Sequence, residues 1–246
     1  MTKKVLGIVA CLGIIMGGVY YLLHGSGIVP GVGLSPESSQ GPDRLVGKID
    51  VKDSPYFKAP DFYNMKSGGS LILLEKFKTH QQRSGFTCGP AAAAMVIEHF
   101  TGKQEDEFAM GKIMGTNNRT GTTVKGMVKY FESIGWKVSS SASSSSPGTY
   151  EDFLKWVDKH LQKGVPIIIE NVEWGGHYRV IIGHDTMGTK HTGDDVLVLA
   201  DPFDTCDHIQ DGYTVANAEK LFYMWFDHQL FEKSQQKKPW VIAQPK

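Results

Sequence analysis

The hydrophobic pattern changes from helical to strand-like spacing partway along the chain, and this change restricts the possible folds more than any other feature. Residues 87–100, 122–134 and 149–161 carry apolar side chains at helical spacing. Residues 165–169, 177–182 and 196–200 are short apolar or alternating runs separated by Gly, Asp and Pro, which are typical of strands. Residues 71–74 indicate a further strand, and residues 215–225 a last helix. Helices followed by strands predict an α+β domain with segregated layers.

The N-terminal segment predicts a membrane anchor over residues 1–23. After Lys3 and Lys4, residues 5–23 are uncharged, and as a helix they extend roughly 28 Å, close to the ~30 Å hydrocarbon core of a bilayer. The two lysines favour a cytoplasmic N terminus, which places the rest of the chain outside the cytoplasm. The alternative is a cleaved signal peptide, which makes the protein secreted, although such peptides have only about 7–15 apolar residues.

Beyond the anchor, the composition predicts a linker and then one domain. Residues 24–43 are rich in Gly, Pro and Ser without hydrophobic periodicity, as in a flexible linker, and residues 44–246 are sufficient for a single domain. The chain contains 26 basic and 26 acidic residues and no cluster of Lys or Arg. Nucleic acid is therefore not an expected partner.

The segment around Cys88 has the features of a nucleophile site. Cys88 lies where the first predicted helix begins, and the partial positive charge of a helix N terminus favours a thiolate. Gly89 permits close approach of another chain segment, and Pro90 suits the first helical turn. The alternatives are a cysteine that only packs in the core, or one that forms a disulfide with Cys206 in an oxidising compartment.

A thiolate nucleophile requires an imidazole partner, and His177 is the candidate. It follows two glycines and opens a predicted strand, whereas His184, seven positions later, is expected on the opposite face. Asp201 directly follows the strand at 196–200, where a carboxylate can orient an imidazole. Asp185, Asp194 and Asp204 compete for this role. No cofactor or metal is expected, because His177, His184 and Asp185 lack a recognised ligand spacing.

Together these segments resemble the bacteriocin-processing, double-glycine cysteine peptidases. The shared order is Gln82, then Cys88-Gly89, then Gly-His opening an apolar strand, then an apolar strand that ends in Asp-Pro, and it extends over residues 77–204. The resemblance implies a papain-like fold and peptide or protein substrates. It also implies Cys88 as nucleophile, His177 as base, Asp201 as orienting carboxylate and Gln82 as oxyanion donor.

Two other functions are compatible with the same residues. A papain-like acyl transferase transfers the acyl group to an amine or thiol instead of water. A non-catalytic module binds peptides in the same cleft without chemistry. The joint presence of Cys, His, Asp and Gln favours a cysteine peptidase or amide hydrolase, because a binding cleft does not need both Cys and His.

Overall fold

A computed structural model of the protein describes residues 58, 60–205, 209–228 and 230–246. The predicted anchor over residues 1–23, the linker over residues 24–43 and Cys206 lie outside the described residues. Within the described part of the chain, no helix is both long and apolar enough to cross a membrane.

Five helices and seven strands make up the described domain. The helices are α1 (Cys88–Thr101), α2 (Glu107–Met114), α3 (Val124–Ser133), α4 (Tyr150–Leu161) and α5 (Ala218–Tyr223). The strands are β1 (Leu71–Leu73), β2 (Lys137–Ser140), β3 (Ile167–Asn171), β4 (His177–Asp185), β5 (Val196–Ala200), β6 (Tyr213–Asn217) and β7 (Trp240–Gln244). Most helices precede most strands, as the α+β prediction requires.

All seven strands form one sheet, in the order β2-β7-β3-β4-β5-β6, with β1 paired to β4. Every pairing is antiparallel. In β4, the strand pairs with β3 over residues 177–181 and with β1 over residues 183–185. The central position of β4 explains why nearly all of its side chains are buried.

Helix α1 is the core helix of the domain. Its first ten residues are all buried, and it packs against β4, α2 and α3. Four consecutive alanines at residues 91–94 allow this, because small side chains let the helix lie close to its neighbours. Gly89 is needed for the same reason, since a Cβ there would lie 2.5 Å from the Cβ of Thr122. Burial of α1 fixes the position of Cys88 at its N terminus.

The predicted last helix over residues 215–225 is wrong in its first part. Residues up to Asn217 belong to β6, which pairs with β5, and α5 begins only at Ala218. Pairing with the exposed edge of β5 outweighs the helical spacing of this segment. Asn217 ends the strand and caps α5, because its side chain accepts a hydrogen bond from the Lys220 amide at 2.9 Å.

Helix α2 and strand β7 lie in segments for which the sequence predicted no helix or strand. Helix α2 has clear end signals, since Asp106 caps its N terminus through the Ala109 amide and Gly115 ends it in the left-handed conformation. Strand β7 follows a proline and is a short apolar run. Both segments therefore carried recognisable signals of their structure.

Candidate active site

Cys88 is a free, buried cysteine at the first residue of α1. No side chain caps this end of the helix, and the backbone carbonyl of Thr87 accepts only the Ala91 amide, at 3.0 Å. The first amides of the helix thus remain available near the thiol, and their partial positive charge favours an anion.

A buried carboxylate supports the segment that leads to Cys88. Glu107, at the start of α2, accepts hydrogen bonds from the Thr87 hydroxyl at 2.7 Å and from the Arg83 amide at 2.8 Å. Its other oxygen lies 2.8 Å from His80 Nε2. These contacts fix residues 83–87 against α2. The sequence analysis missed this role because α2 itself was missed.

His177 and Asp201 form a buried pair. His177 is the first residue of β4 and Asp201 follows β5, and His177 Nε2 lies 2.7 Å from Asp201 Oδ1. The strand register brings the two residues together. Because Val180 pairs with Ala200, the start of β4 lies beside the end of β5. The contact at Nε2 leaves Nδ1 of His177 for Cys88.

The environment of His177 favours its protonated form. Burial lowers the pKa of His177, but the Asp201 carboxylate, by charge and hydrogen bond, and the Cys88 side chain together raise this pKa to about 9. Burial also raises the pKa of Asp201, yet His177, Arg179 and the Phe203 amide lower it below its ordinary value. An imidazolium held between a carboxylate and a thiol can stabilise a thiolate and later supply a proton.

Arg179 and Trp174, which the sequence analysis did not select, enclose this pair. Arg179 lies two residues after His177 in β4, and its Nη1 is 3.6 Å from Asp201 Oδ2. The Trp174 ring packs against His177 and Phe203, with centroid separations of 5.1 and 4.9 Å. Trp174 has a φ of 51°, a left-handed conformation that is rare for a bulky residue. These aromatic side chains limit the access of water to the imidazole.

Gln82 is buried in the segment that precedes Cys88. Its backbone amide donates to the Pro202 carbonyl at 2.8 Å, which attaches this segment to the end of β5. Its side-chain Nε2 donates one hydrogen to the Ser84 carbonyl at 2.6 Å. The second hydrogen on Nε2 remains available to another acceptor.

The competing histidines and aspartates have partners of their own. His184 uses both ring nitrogens, with Nδ1 at 2.6 Å from Asp158 and Nε2 at 3.1 Å from Asp195. The prediction that His184 lies on the opposite face from His177 is wrong. A bulge between Ile181 and Gly183 shifts the alternation by one residue and returns His184 to the face of His177.

His184 is nevertheless remote from His177, because seven strand residues span roughly 20 Å or more. Among the competing carboxylates, Asp185 accepts the Met187 amide, Asp194 accepts the Thr189 hydroxyl and Asp204 accepts the Gly212 amide. In the part of the chain that the structure describes, no group of three or more His, Cys, Asp or Glu residues is arranged to bind a metal ion.

Helices followed by an antiparallel sheet, with a cysteine at the N terminus of the core helix facing a histidine at a strand start, define a papain-like cysteine peptidase fold. The chain belongs to the "Peptidase_C39 like" family, whose model matches residues 74–229. The predicted resemblance to the bacteriocin-processing cysteine peptidases is therefore confirmed for the family.

Two solved structures similar to this chain are streptococcal peptidase domains. The peptidase domain of Streptococcus ComA, described as a bi-functional ABC transporter involved in a quorum-sensing pathway, is 19% identical with a TM-score of 0.48. The match covers 69% of this chain and 99% of that chain. The peptidase domain of Streptococcus mutans ComA is 17% identical, with a TM-score of 0.34, 69% of this chain covered and 100% of the other. No curated protein matches the chain.

Proposed function

We propose that this protein is a cysteine peptidase or related amide hydrolase in which Cys88 is the nucleophile and His177 its proton-transfer partner. The observation that carries this proposal is the buried His177–Asp201 pair at 2.7 Å, which leaves the second ring nitrogen for the thiol at the start of α1. Asp201 is the orienting carboxylate, since it fixes the ring and stabilises the imidazolium.

The reaction has two stages. The Cys88 thiolate attacks the substrate carbonyl carbon, the C–N bond breaks, and the His177 imidazolium gives its proton to the leaving amine. The neutral imidazole then takes a proton from water, the resulting hydroxide attacks the thioester carbon, and the C–S bond breaks. The products are a carboxylic acid and an amine, and His177 is again protonated beside the thiolate.

Gln82 and the amide of Cys88 are proposed to stabilise the negative oxygen that forms in each stage. Gln82 suits this role because its side chain is buried and its orientation is fixed by Ser84. Donors that are already oriented stabilise a developing charge without further reorganisation.

We also propose that residues 1–23 anchor the protein in a membrane with the peptidase domain outside the cytoplasm. This rests on the length of the uncharged stretch and on the two preceding lysines. The substrates of the protein are proposed to be peptides or proteins, as expected for a member of a peptidase family.

Substitution of the four residues tests the mechanism. Cys88→Ala is expected to abolish hydrolysis, with His177→Ala nearly as severe, because each removes a group that forms or breaks bonds. Gln82→Ala is expected to lower kcat by roughly 10²–10³, with little change in KM. Asp201→Asn should be milder than His177→Ala, because Asp201 transfers no proton.

His184→Ala is the matched control, since His184 is also a buried β4 histidine bonded to carboxylates. Steady-state hydrolysis of peptide amides and labelling of Cys88 by a thiol-reactive probe are the measurements. A larger loss for His184→Ala than for His177→Ala would refute the site assignment. Transfer of the acyl group to an added amine in place of water would identify an acyl transferase. Peptide binding that is unaffected by Cys88→Ala, without any product, would identify a binding module.

A further inference from the structure

A pocket of about 460 Å³ lies next to the His177–Asp201 pair, and we call it the α5 pocket. It is enclosed by the segment that leads into β4, the end of β5, strand β6 and helix α5. The apolar residues that line it are Trp174, Phe203, Val215, Ala216, Leu221 and Met224. Its volume is within the about 300–1,000 Å³ typical of ligand sites, so it can hold a large side chain of a bound molecule.

The α5 pocket and Cys88 lie on opposite faces of the sheet. Successive side chains of a strand point to opposite faces. Tyr178 lines a narrow pocket beside Cys88, and the next residue of β4, Arg179, lines the α5 pocket. The His177–Asp201 pair lies between the two, since His177 interacts with the Cys88 side chain while Asp201 lines the α5 pocket.

Two aromatic side chains connect the α5 pocket to His177. The centroid of the His177 ring lies 5.1 Å from that of Trp174 and 6.5 Å from that of Phe203, and both contacts are edge-on. The same two residues line the α5 pocket, and Trp174 is 43% exposed. A peptide segment that extends from His177 across these rings therefore reaches the α5 pocket directly.

The buried charges of the α5 pocket are already paired with one another. Arg179 is 6% exposed, and its guanidinium lies 3.2 Å from Glu173 Oε1 and 3.6 Å from Asp201 Oδ2. An acidic guest would compete with Asp201 for Arg179, and a basic guest would compete with Arg179 for Glu173. Lys220 is exposed, so that water weakens its attraction for an acidic guest. The α5 pocket therefore favours an apolar guest.

We propose that the α5 pocket binds a large apolar side chain of the substrate at the first or second position after the scissile bond. The assignment to this side rests on the proposed function. The leaving amine must lie at His177 to receive its proton, and the residues that follow this amine extend away from Cys88, towards Trp174 and Phe203. The narrow pocket beside Cys88 has only about 20 Å³ of free space, which suits small residues on the acyl side.

The test compares substrates that differ only after the scissile bond. Internally quenched peptides have two glycines before this bond, as the resemblance to the double-glycine peptidases suggests. They carry glycine, leucine, phenylalanine, aspartate or lysine at the first or at the second position after it. An ethyl ester with the same acyl side has no residue to place in the α5 pocket and measures the reaction at Cys88 alone. Leucine or phenylalanine at one position is expected to give a kcat/KM at least about tenfold above the other three residues.

Ala216→Phe fills the α5 pocket from β6, where Ala216 is half-buried and lies on the same face as Thr214. It should reduce the apolar preference to within about threefold and leave hydrolysis of the ester unchanged. Met224→Ala is a second variant, which removes part of the apolar wall after α5 and should lower kcat/KM for the leucine peptide about threefold or more. Ser139→Phe is the control, since it adds the same ring at an exposed position of β2, at the other edge of the sheet. It should change none of these rates.

The ester separates this proposal from the proposed function. An apolar preference that both pocket variants reduce, with ester hydrolysis unchanged, supports the α5 pocket. Equal rates for all peptides, a preference for aspartate or lysine, or an apolar preference that survives both variants overturns it. Hydrolysis of the ester without cleavage of any peptide also overturns the α5 pocket and leaves the nucleophile standing. Absence of hydrolysis of every substrate overturns the proposed function, and this proposal with it.

Discussion

Replacing Asp201 by asparagine tests the His177–Asp201 pair with little change in shape. The asparagine carbonyl oxygen can still accept hydrogen bonds at the Oδ1 position, which lies 2.7 Å from His177 Nε2 and 2.9 Å from the Phe203 amide. The negative charge is lost. Since that charge stabilises the imidazolium, the pKa of His177 is expected to fall.

The structure gives the scale of this effect. The pKa of His177 is raised from 6.5 to about 9, and at 1.36 kcal/mol per pKa unit this corresponds to about 3 kcal/mol in favour of the protonated ring. A contacting carboxylate accounts for about 1–3 pKa units. The midpoint of His177 in Asp201→Asn is therefore expected to fall from about 9 to between about 6 and 8.

The same pair predicts how stability depends on pH. Because folding raises the pKa of His177, the imidazolium stabilises the fold fully below about pH 6.5, and this contribution is lost as the pH rises through about 9. Urea unfolding of the wild type should therefore show a decrease of up to about 3 kcal/mol over this range. Asp201→Asn should show a smaller decrease that is complete at lower pH.

NMR titration of the histidine ring C–H signals measures the midpoint directly, with the His177 signal assigned by its absence in His177→Ala. Asp195→Asn is the matched control, because it removes the carboxylate 3.1 Å from the other buried β4 histidine, His184. It should leave the His177 midpoint unchanged. A His177 midpoint that stays near 9 in Asp201→Asn, or an equal shift in Asp195→Asn, would show that Asp201 does not set the protonation of His177.

Two further predictions concern the support of the nucleophile and the location of the protein. Glu107→Ala should reduce the free energy of unfolding in urea by about 3–5 kcal/mol and slow the alkylation of Cys88, because three donors lose a buried acceptor. Glu105→Ala is the control, since Glu105 is exposed, and it should change neither quantity. Equal effects of the two substitutions would contradict the supporting role of Glu107. External protease should digest the domain in intact cells while residues 5–23 stay attached. A mature N terminus near Gly27 would instead indicate a signal peptide.

Local sequence determined where most helices and strands begin. The predicted helices over residues 122–134 and 149–161 start within one residue of the observed caps, Thr123 and Thr149, and each of these side chains accepts a hydrogen bond from an amide three residues later, at 3.1 Å. The position of Cys88 at a helix N terminus likewise followed from the residues after it. Such signals are readable because capping and hydrophobic periodicity depend on neighbours within one or two turns.

Only the tertiary structure decided which distant residues meet. The proximity of His177 and Asp201 results from the register of β4 with β5, and the face of His184 depends on a bulge within that pairing. The pocket beside Cys88 exists because Glu170 of β3, Tyr178 of β4 and residues 230–231 converge there. Register, bulges and edge pairing are set by packing between residues far apart in the chain, and a one-residue change in them moves a side chain to the other face of the sheet.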